Sequence, residues 1–186
     1  MKPKISPAGR DSVLLHICCA PDASYGVKAM QERYQVTGFF FNPNIQPGAE
    51  YDLRLSATLR LTERIPFPLE VVPGGEAEWE DAVRGLEDEP ERGRRCEACI
   101  RMRLARTARE AKCFGISSFS TVLTVSPKKD AAMVNRIGRE EGEKAGIPFL
   151  EADMKKNDGF RKSVETSKRF GIYRQNYCGC RHSLRP

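Results

Sequence analysis

The sequence predicts a single α/β domain of about five parallel strands, because short β-branched or aromatic runs alternate with stretches of helical spacing. Two further observations agree with that class. At 186 residues the chain is the size of one domain, able to bury a core without disulfide staples. Its 40% hydrophobic and 30% charged residues are the composition of a globular protein, with no long low-complexity tract. Residues 1–11 read as a flexible N-terminal tail and residues 12–186 as the domain itself.

Val13–Ile17 is an apolar run that reads as a buried strand and leads straight into Cys18-Cys-Ala-Pro-Asp22. Helical spacing over Ala23–Arg33 and the β-branched, aromatic run Val36–Phe41 complete a βαβ opening. The loop Asn42–Pro47 follows, its two prolines forbidding a regular ladder. Glu50–Glu63 reads as a helix with Tyr51, Leu55, Leu59 and Leu61 on the inner side, and Leu69–Val72 as the third strand. Glu76–Leu86 is helical and carries the sole Trp79, whereas Glu87–Arg95, with Pro90 and Gly93, reads as a mobile charged linker. Cys96–Phe114 is a strong helix stopped by Gly115. Ile100, Leu104, Ala108 and Ala111 form its apolar stripe, opposite Arg101, Arg103, Arg106 and Arg109. Phe119–Val125 is the expected fourth strand, Asp130–Ala145 a helix after the Ser126–Lys129 turn, Phe149–Ala152 a short fifth strand and Gly159–Phe170 the last helix. The tail from Gly171 to Cys180 is aromatic and polar, without helical spacing. In parallel sheets ligands gather beyond the carboxyl ends of the strands, where the Cys18-Cys19 turn, the Asn42–Pro47 loop and the Ser126–Lys129 turn fall.

Six of the seven cysteines form three tight pairs: Cys18-Cys19, Cys96-x-x-Cys99 and Cys178-Gly-Cys180. A structural zinc site would use four thiols and leave two unexplained. Three convergent pairs point to a thiolate-rich metal centre with more than one metal component. No apolar run approaches the roughly 18–20 residues of a membrane span, and no signal peptide opens the chain, so a cytoplasmic protein is expected. In that reducing compartment paired cysteines bind metal or do redox chemistry. Cys113 has no partner at ligand spacing and reads as a small apolar filler. His16 reads as a hydrogen-bonded core residue, and His182 follows the last pair. Asp22 either caps the next helix or completes a metal site; its position allows both.

Lys and Arg number 31 against 25 Asp and Glu, a net charge of +6. Basic residues gather at Arg92–Arg109, Lys155–Lys168 and Arg169–Arg185, flanking the second and third pairs. Such a distribution suits a polyanionic partner, and a solvated face accounts for it as well. The Cys-x-x-x-Cys-x-x-Cys loop of radical SAM enzymes is missing. So is a Gly-rich phosphate loop after the first strand, which speaks against ATP use.

On these residues the chain resembles the QueH family, the cobalamin-independent epoxyqueuosine reductases. The resemblance runs from about Val13 to the C-terminus, through His16-Ile-Cys-Cys-Ala-Pro-Asp22, Phe40-Phe-Asn-Pro-Asn-Ile-Gln-Pro47, Glu50-Tyr51, Arg95-Cys-Glu-Ala-Cys-Ile100, Phe119-Ser-Thr-Val-Leu123, Ser126-Pro-Lys128 and Gly171-Ile-Tyr-Arg-Gln-Asn-Tyr-Cys-Gly-Cys180. It implies a Rossmann-like domain of the adenine nucleotide alpha hydrolase or ATP-pyrophosphatase kind, metal-binding and catalytic, with its site at the carboxyl ends of the strands. It implies two-electron deoxygenation of epoxyqueuosine at the wobble position of tRNA with a GUN anticodon, giving queuosine and water. It also implies a [4Fe–4S] cluster held by Cys18, Cys19, Cys96 and Cys99, and a mononuclear iron held by Cys178, Cys180 and Asp22. A one-electron donor of ferredoxin or flavodoxin type would serve it, with no membrane partner. Asp22, Cys178, Cys180 and Tyr177 are then the catalytic candidates. Tyr173, Arg174 and Gln175, which adjoin the last pair, are substrate-binding candidates together with Asn42, Asn44 and Lys128 from the loops. Two other readings stand beside this one: an iron–sulfur tRNA sulfurtransferase of the ATP-pyrophosphatase fold, and a zinc-stabilised RNA-binding module without enzymatic activity.

Overall fold

The structure, a computed structural model, describes residues 11–184; all of the expected tail except Asp11 lies outside them, as does Arg185 of the last basic stretch. Four strands form one parallel sheet in the order β3-β2-β1-β4: β1 (Ser12–His16), β2 (Gln35–Phe40), β3 (Leu69–Val71) and β4 (Ser118–Thr121). A parallel sheet is buried on both faces, so its central strands β1 and β2 carry apolar side chains on both sides, such as Val13, Leu14 and Leu15. Val13, Leu15 and Ile17 enter one core with helices α1 (Ala20–Gln31) and α2 (Gly48–Arg64), and α6 (Gly159–Phe170) packs on α1. Leu14, Phe39 and Phe119 enter the other, with α4 (Arg94–Cys113) and α5 (Ala131–Ala145). A short helix α3 (Glu76–Val83) packs on α4 and buries Trp79 completely.

The sheet has four strands, not five. Leu150 N–H donates to the Phe119 carbonyl (2.8 Å), and Phe119 and Phe149 form a single parallel bridge. Beyond it the chain is drawn to side chains instead: Ala152 N–H donates to Asn135 Oδ1 and Met154 N–H to Thr124 Oγ1 (3.3 Å each). The expected fourth strand also stops early. Thr121 Oγ1 accepts from Leu123 N–H (3.2 Å) and caps a 3-10 turn over Val122–Val125, which a β-branched composition hides.

Two faces differ from the expected ones. Leu59 points outward at 48% exposure, because the inner face of α2 carries Glu50, Arg54, Ala57, Thr58 and Leu61. Arg103 is buried rather than on the solvent arc of α4, in line with Cys96, Cys99 and Ile100. Cys113 is exposed at the end of α4, so it fills no core. The segment read as a mobile linker is tied down: Arg95 Nη1 donates to the carbonyls of Glu87 (2.6 Å) and Glu89, and Arg92 donates to those of Pro127 (3.0 Å) and Lys128 (3.1 Å).

Candidate metal centre and substrate cavity

Because all four strands run the same way, the loops after β1, β2 and β4 share one edge of the sheet. After β1 the backbone turns at Cys19, the extended N-cap of α1, with Pro21 in the first turn. That break brings two adjacent thiols together, Cys18 Sγ lying 3.7 Å from Cys19 Sγ and 3.8 Å from Asp22 Oδ2. Among the described residues, these three are the one group whose ligand atoms all lie within 4.8 Å of one another. No side chain caps α1, so Asp22 is not its capping residue. Burial pushes the Asp22 carboxyl up to about 6, against hydrogen bonds from Cys19 and Cys18 and the charge of Arg174. A buried carboxylate beside two thiols is a hard donor completing a soft set.

The other two pairs meet across the edge. Cys96 and Cys99 stand on the first turns of α4, whose amino-terminal end favours thiolate charge. Cys96 Sγ accepts the Arg92 backbone N–H at 3.3 Å. Cys178 and Cys180 flank Gly179 at φ +120°, where a Cβ would sit 3.1 Å from both Arg54 Nη1 and Ile45 Cγ1; only glycine fits. Arg54, 2% exposed, holds this loop. It donates to the carbonyls of Cys178 (3.0 Å) and Tyr177 (3.1 Å), while its Nε pairs with Glu50 Oε1 (2.6 Å). Tyr173 O–H donates to the second Glu50 oxygen (2.6 Å), and that bond, with burial, pushes the phenol up to about 12.

Lys129 Nζ lies 2.9 Å from Cys178 Sγ. Burial works against the Cys178 thiolate, but the charges of Lys129 and Arg103 and the lysine's hydrogen bond outweigh it and hold the thiol below its ordinary pKa. Burial likewise opposes the charge on Lys129, and the Cys178 charge reverses the direction, so the ammonium persists.

Two cavities adjoin at this point, sharing Arg103, Lys129 and Cys178 as walls. The inner one, of about 10 Å³, is lined by Cys96, Cys99, Cys178 and Cys180. Trp79 lines it too, its indole N–H buried without a hydrogen-bond partner. The outer one, of about 170 Å³, has Cys18, Asp22 and Cys178 at its floor and Lys128, Arg174, Gln175 and Tyr177 around it. Six thiols, a carboxylate, an orphaned donor, the buried Arg103 and the half-buried Lys129 suit an anionic metal–thiolate group.

A family model described as epoxyqueuosine reductase QueH matches residues 13–186. The chain belongs to the QueH family. Among QueH proteins it is 40% identical to the epoxyqueuosine reductase QueH of Thermotoga maritima, covering 93% of this chain and 90% of that one. Identity to the Streptococcus pyogenes relative is 37% (92% and 69% covered), and to that of Histophilus somni 36% (100% and 77%). A solved structure described as a predicted subunit of tRNA methyltransferase from Methanocaldococcus jannaschii superposes with a TM-score of 0.55 at 14% identity, over 82% of this chain and 74% of that chain. That likeness concerns the fold alone. No helix among the described residues is long and apolar enough to cross a membrane.

Within this QueH chain the expected site residues divide. The six paired cysteines, Asp22, Tyr177, Lys128, Arg174 and Gln175 border the sheet edge and its cavities. Asn42 and Asn44 are buried beneath it: Asn42 Nδ2 donates to the Ile17 carbonyl (2.8 Å), and Asn44 packs under Gly179. Tyr173 is engaged with Glu50 and lines neither cavity. Tyr177 donates its O–H to the Gln46 carbonyl and sets its ring against Arg54. His16 is a core residue: Nδ1 meets Thr121 Oγ1 (3.0 Å) and Nε2 the Phe41 carbonyl (3.3 Å). His182 packs near Trp79, its ring centroid 6.3 Å away. Sequence reading missed Arg54, Arg103 and Lys129. Only spacing marked two of them, Arg103 four residues after Cys99 and Arg54 four after Glu50.

Proposed function

We propose that this protein is an epoxyqueuosine reductase, an oxidoreductase of tRNA queuosine biosynthesis. It removes the epoxide oxygen of epoxyqueuosine at the wobble position of tRNA with a GUN anticodon; two electrons and two protons convert the epoxide to the alkene of queuosine and water. The observation that carries this reading is the convergence of three cysteine pairs and Asp22 around two joined cavities, in a chain whose relatives bear that name. An iron–sulfur cluster, when bound, supplies electrons singly, and an iron with an open position supplies Lewis acidity toward the epoxide oxygen.

The chain's own residues do the rest. Arg103 and Lys129 offset the charge that the thiolates bring and form the wall between the two cavities. Gln175, whose Oε1 is buried without a partner, and Arg174 line the outer cavity, ready to orient a modified nucleoside.

In the partition that the family resemblance implies, Cys18, Cys19, Cys96 and Cys99 hold a [4Fe–4S] cluster, and Cys178, Cys180 and Asp22 an iron. The grouping of Asp22 with Cys18 and Cys19 supports a second partition, with the iron on those three and the cluster on the four thiols of the inner cavity. Protein prepared without oxygen is expected to carry about four to five irons and four sulfides per chain. Zinc without sulfide in that assay contradicts the reductase reading. Cys19→Ser and Cys180→Ser separate the partitions: the variant that loses the cluster's visible absorption has lost a cluster ligand, and the other is expected to lose a single iron.

A further inference from the structure

Phe160 is a large apolar side chain left exposed, at 37%, on the rim of the outer cavity. Its place is fixed. Gly159, just before it, is pressed so tightly that a Cβ would lie 1.7 Å from the Met154 carbonyl oxygen, which pins the first turn of α6. Ser163 Oγ donates to the Phe160 carbonyl (2.7 Å). The Arg174 guanidinium lies 5.8 Å from the ring centroid, and its Nη1 is held by Ser167 Oγ (3.2 Å) on the same helix. An aromatic ring beside an arginine plane is what single-stranded RNA bases stack on. Here both halves are set before any ligand arrives, which lowers the entropy cost of binding.

The cavity is a compartment for one nucleoside, smaller than ordinary ligand pockets. Bases flanking an inserted nucleotide therefore remain at its rim, where Phe160 stands with the cations Lys128 and Arg174. We propose that Phe160, with Arg174 beside it, is the stacking platform for a nucleobase adjacent to the wobble position. This rests on the tRNA reading above and adds a subsite outside the reacting cavity. The positive charge of Arg174 against the ring, and of Lys128 on the same cavity, favours RNA over an apolar protein patch.

The test measures stem-loop affinity of anaerobically prepared protein by fluorescence anisotropy, alongside turnover of epoxyqueuosine-containing tRNA. Phe160→Ala is expected to weaken binding of a synthetic anticodon stem-loop about 5- to 150-fold, the range of one lost base–aromatic stack, and Phe160→Trp to restore it. Making one of the two positions flanking the wobble nucleotide abasic is expected to weaken the wild type similarly and to leave Phe160→Ala almost unaffected. Equal affinity of Phe160→Ala and wild type, or an equal loss on intact and abasic stem-loops, overturns the subsite. So does a Phe160→Ala defect confined to saturation by the electron-donor protein. If wild type turns over but shows any of these results, the subsite alone falls. If wild type loaded with iron and sulfide neither binds nor turns over the tRNA, the reading of the whole site falls with it.

Discussion

Asp22 illustrates the cost of burying a carboxyl between two thiols. Its carboxyl, 7% exposed, is raised from 3.8 to about 6 chiefly by burial. A raised acid favours the folded state when protonated, so its stabilising contribution is full below pH 3.8 and lost as pH rises through 6. Metal-free wild type is therefore expected to be less stable at pH 7.5 than Asp22→Asn, by on the order of 3 kcal/mol, with the difference shrinking toward pH 4. Urea denaturation of reduced, metal-free protein at both pH values measures it. The same variant is expected to lose turnover, because a neutral amide is a poor ligand for a hard cation. Equal stability at both pH values combined with full turnover would contradict the ligand role.

At the scale of elements, the Cys178-Gly-Cys180 loop belongs to no helix or strand and is held chiefly by α2. Breaking one partner of the buried Glu50–Arg54 pair leaves the other charged and uncompensated, which costs about 3–5 kcal/mol. Arg54→Gln is thus expected to lower the thermal midpoint and the bound iron together, whereas Tyr173→Phe, which removes one bond to Glu50, costs about 1.5–3 kcal/mol. Calorimetry with iron analysis checks both; full iron in Arg54→Gln would show that the loop needs no clamp. Apart from the four-residue spacing of Glu50 and Arg54, this clamp was not legible in the sequence, because charged residues read as solvent-exposed by default. The strands were legible, since a sheet buried on both faces leaves apolar runs such as Val13–Ile17 and Val36–Phe41. The thiols were legible as pairs. Lys129 was not distinguishable from Lys128, which was named in its stead, because direction within a tight turn depends on backbone geometry. Val122–Val125 was misread because β-branched residues fill a capped 3-10 turn as readily as a strand.

The whole molecule arranges its positive charge differently from the sequence expectation. Arg101 and Arg136 on α4 and α5 are consumed in a network with Glu97, Glu140 and Glu141, at 2.7–3.2 Å. The cations left at the mouth of the cavity are those of the β4–α5 turn and the C-terminal loop, Lys128 and Arg174. Each phosphate contact releases counterions on binding RNA. Lys128→Glu is expected to weaken stem-loop binding and to flatten the log–log salt dependence by about one unit, while Arg101→Glu lowers stability and leaves that slope unchanged. Dissociation constants at two salt concentrations decide between them, and a slope altered by Arg101 but not by Lys128 would move the RNA surface to the α4–α5 face.

The central claim is that the thiol-lined edge of this sheet removes an epoxide oxygen from tRNA. Its most direct test incubates anaerobically reconstituted protein with epoxyqueuosine-containing tRNA and a low-potential ferredoxin or flavodoxin, then digests the RNA and weighs its nucleosides. Queuosine, lighter by one oxygen atom than its precursor, is the expected product, formed without ATP. Unchanged epoxyqueuosine from protein fully loaded with iron and sulfide, or a product that gains sulfur only when ATP is added, would contradict the account.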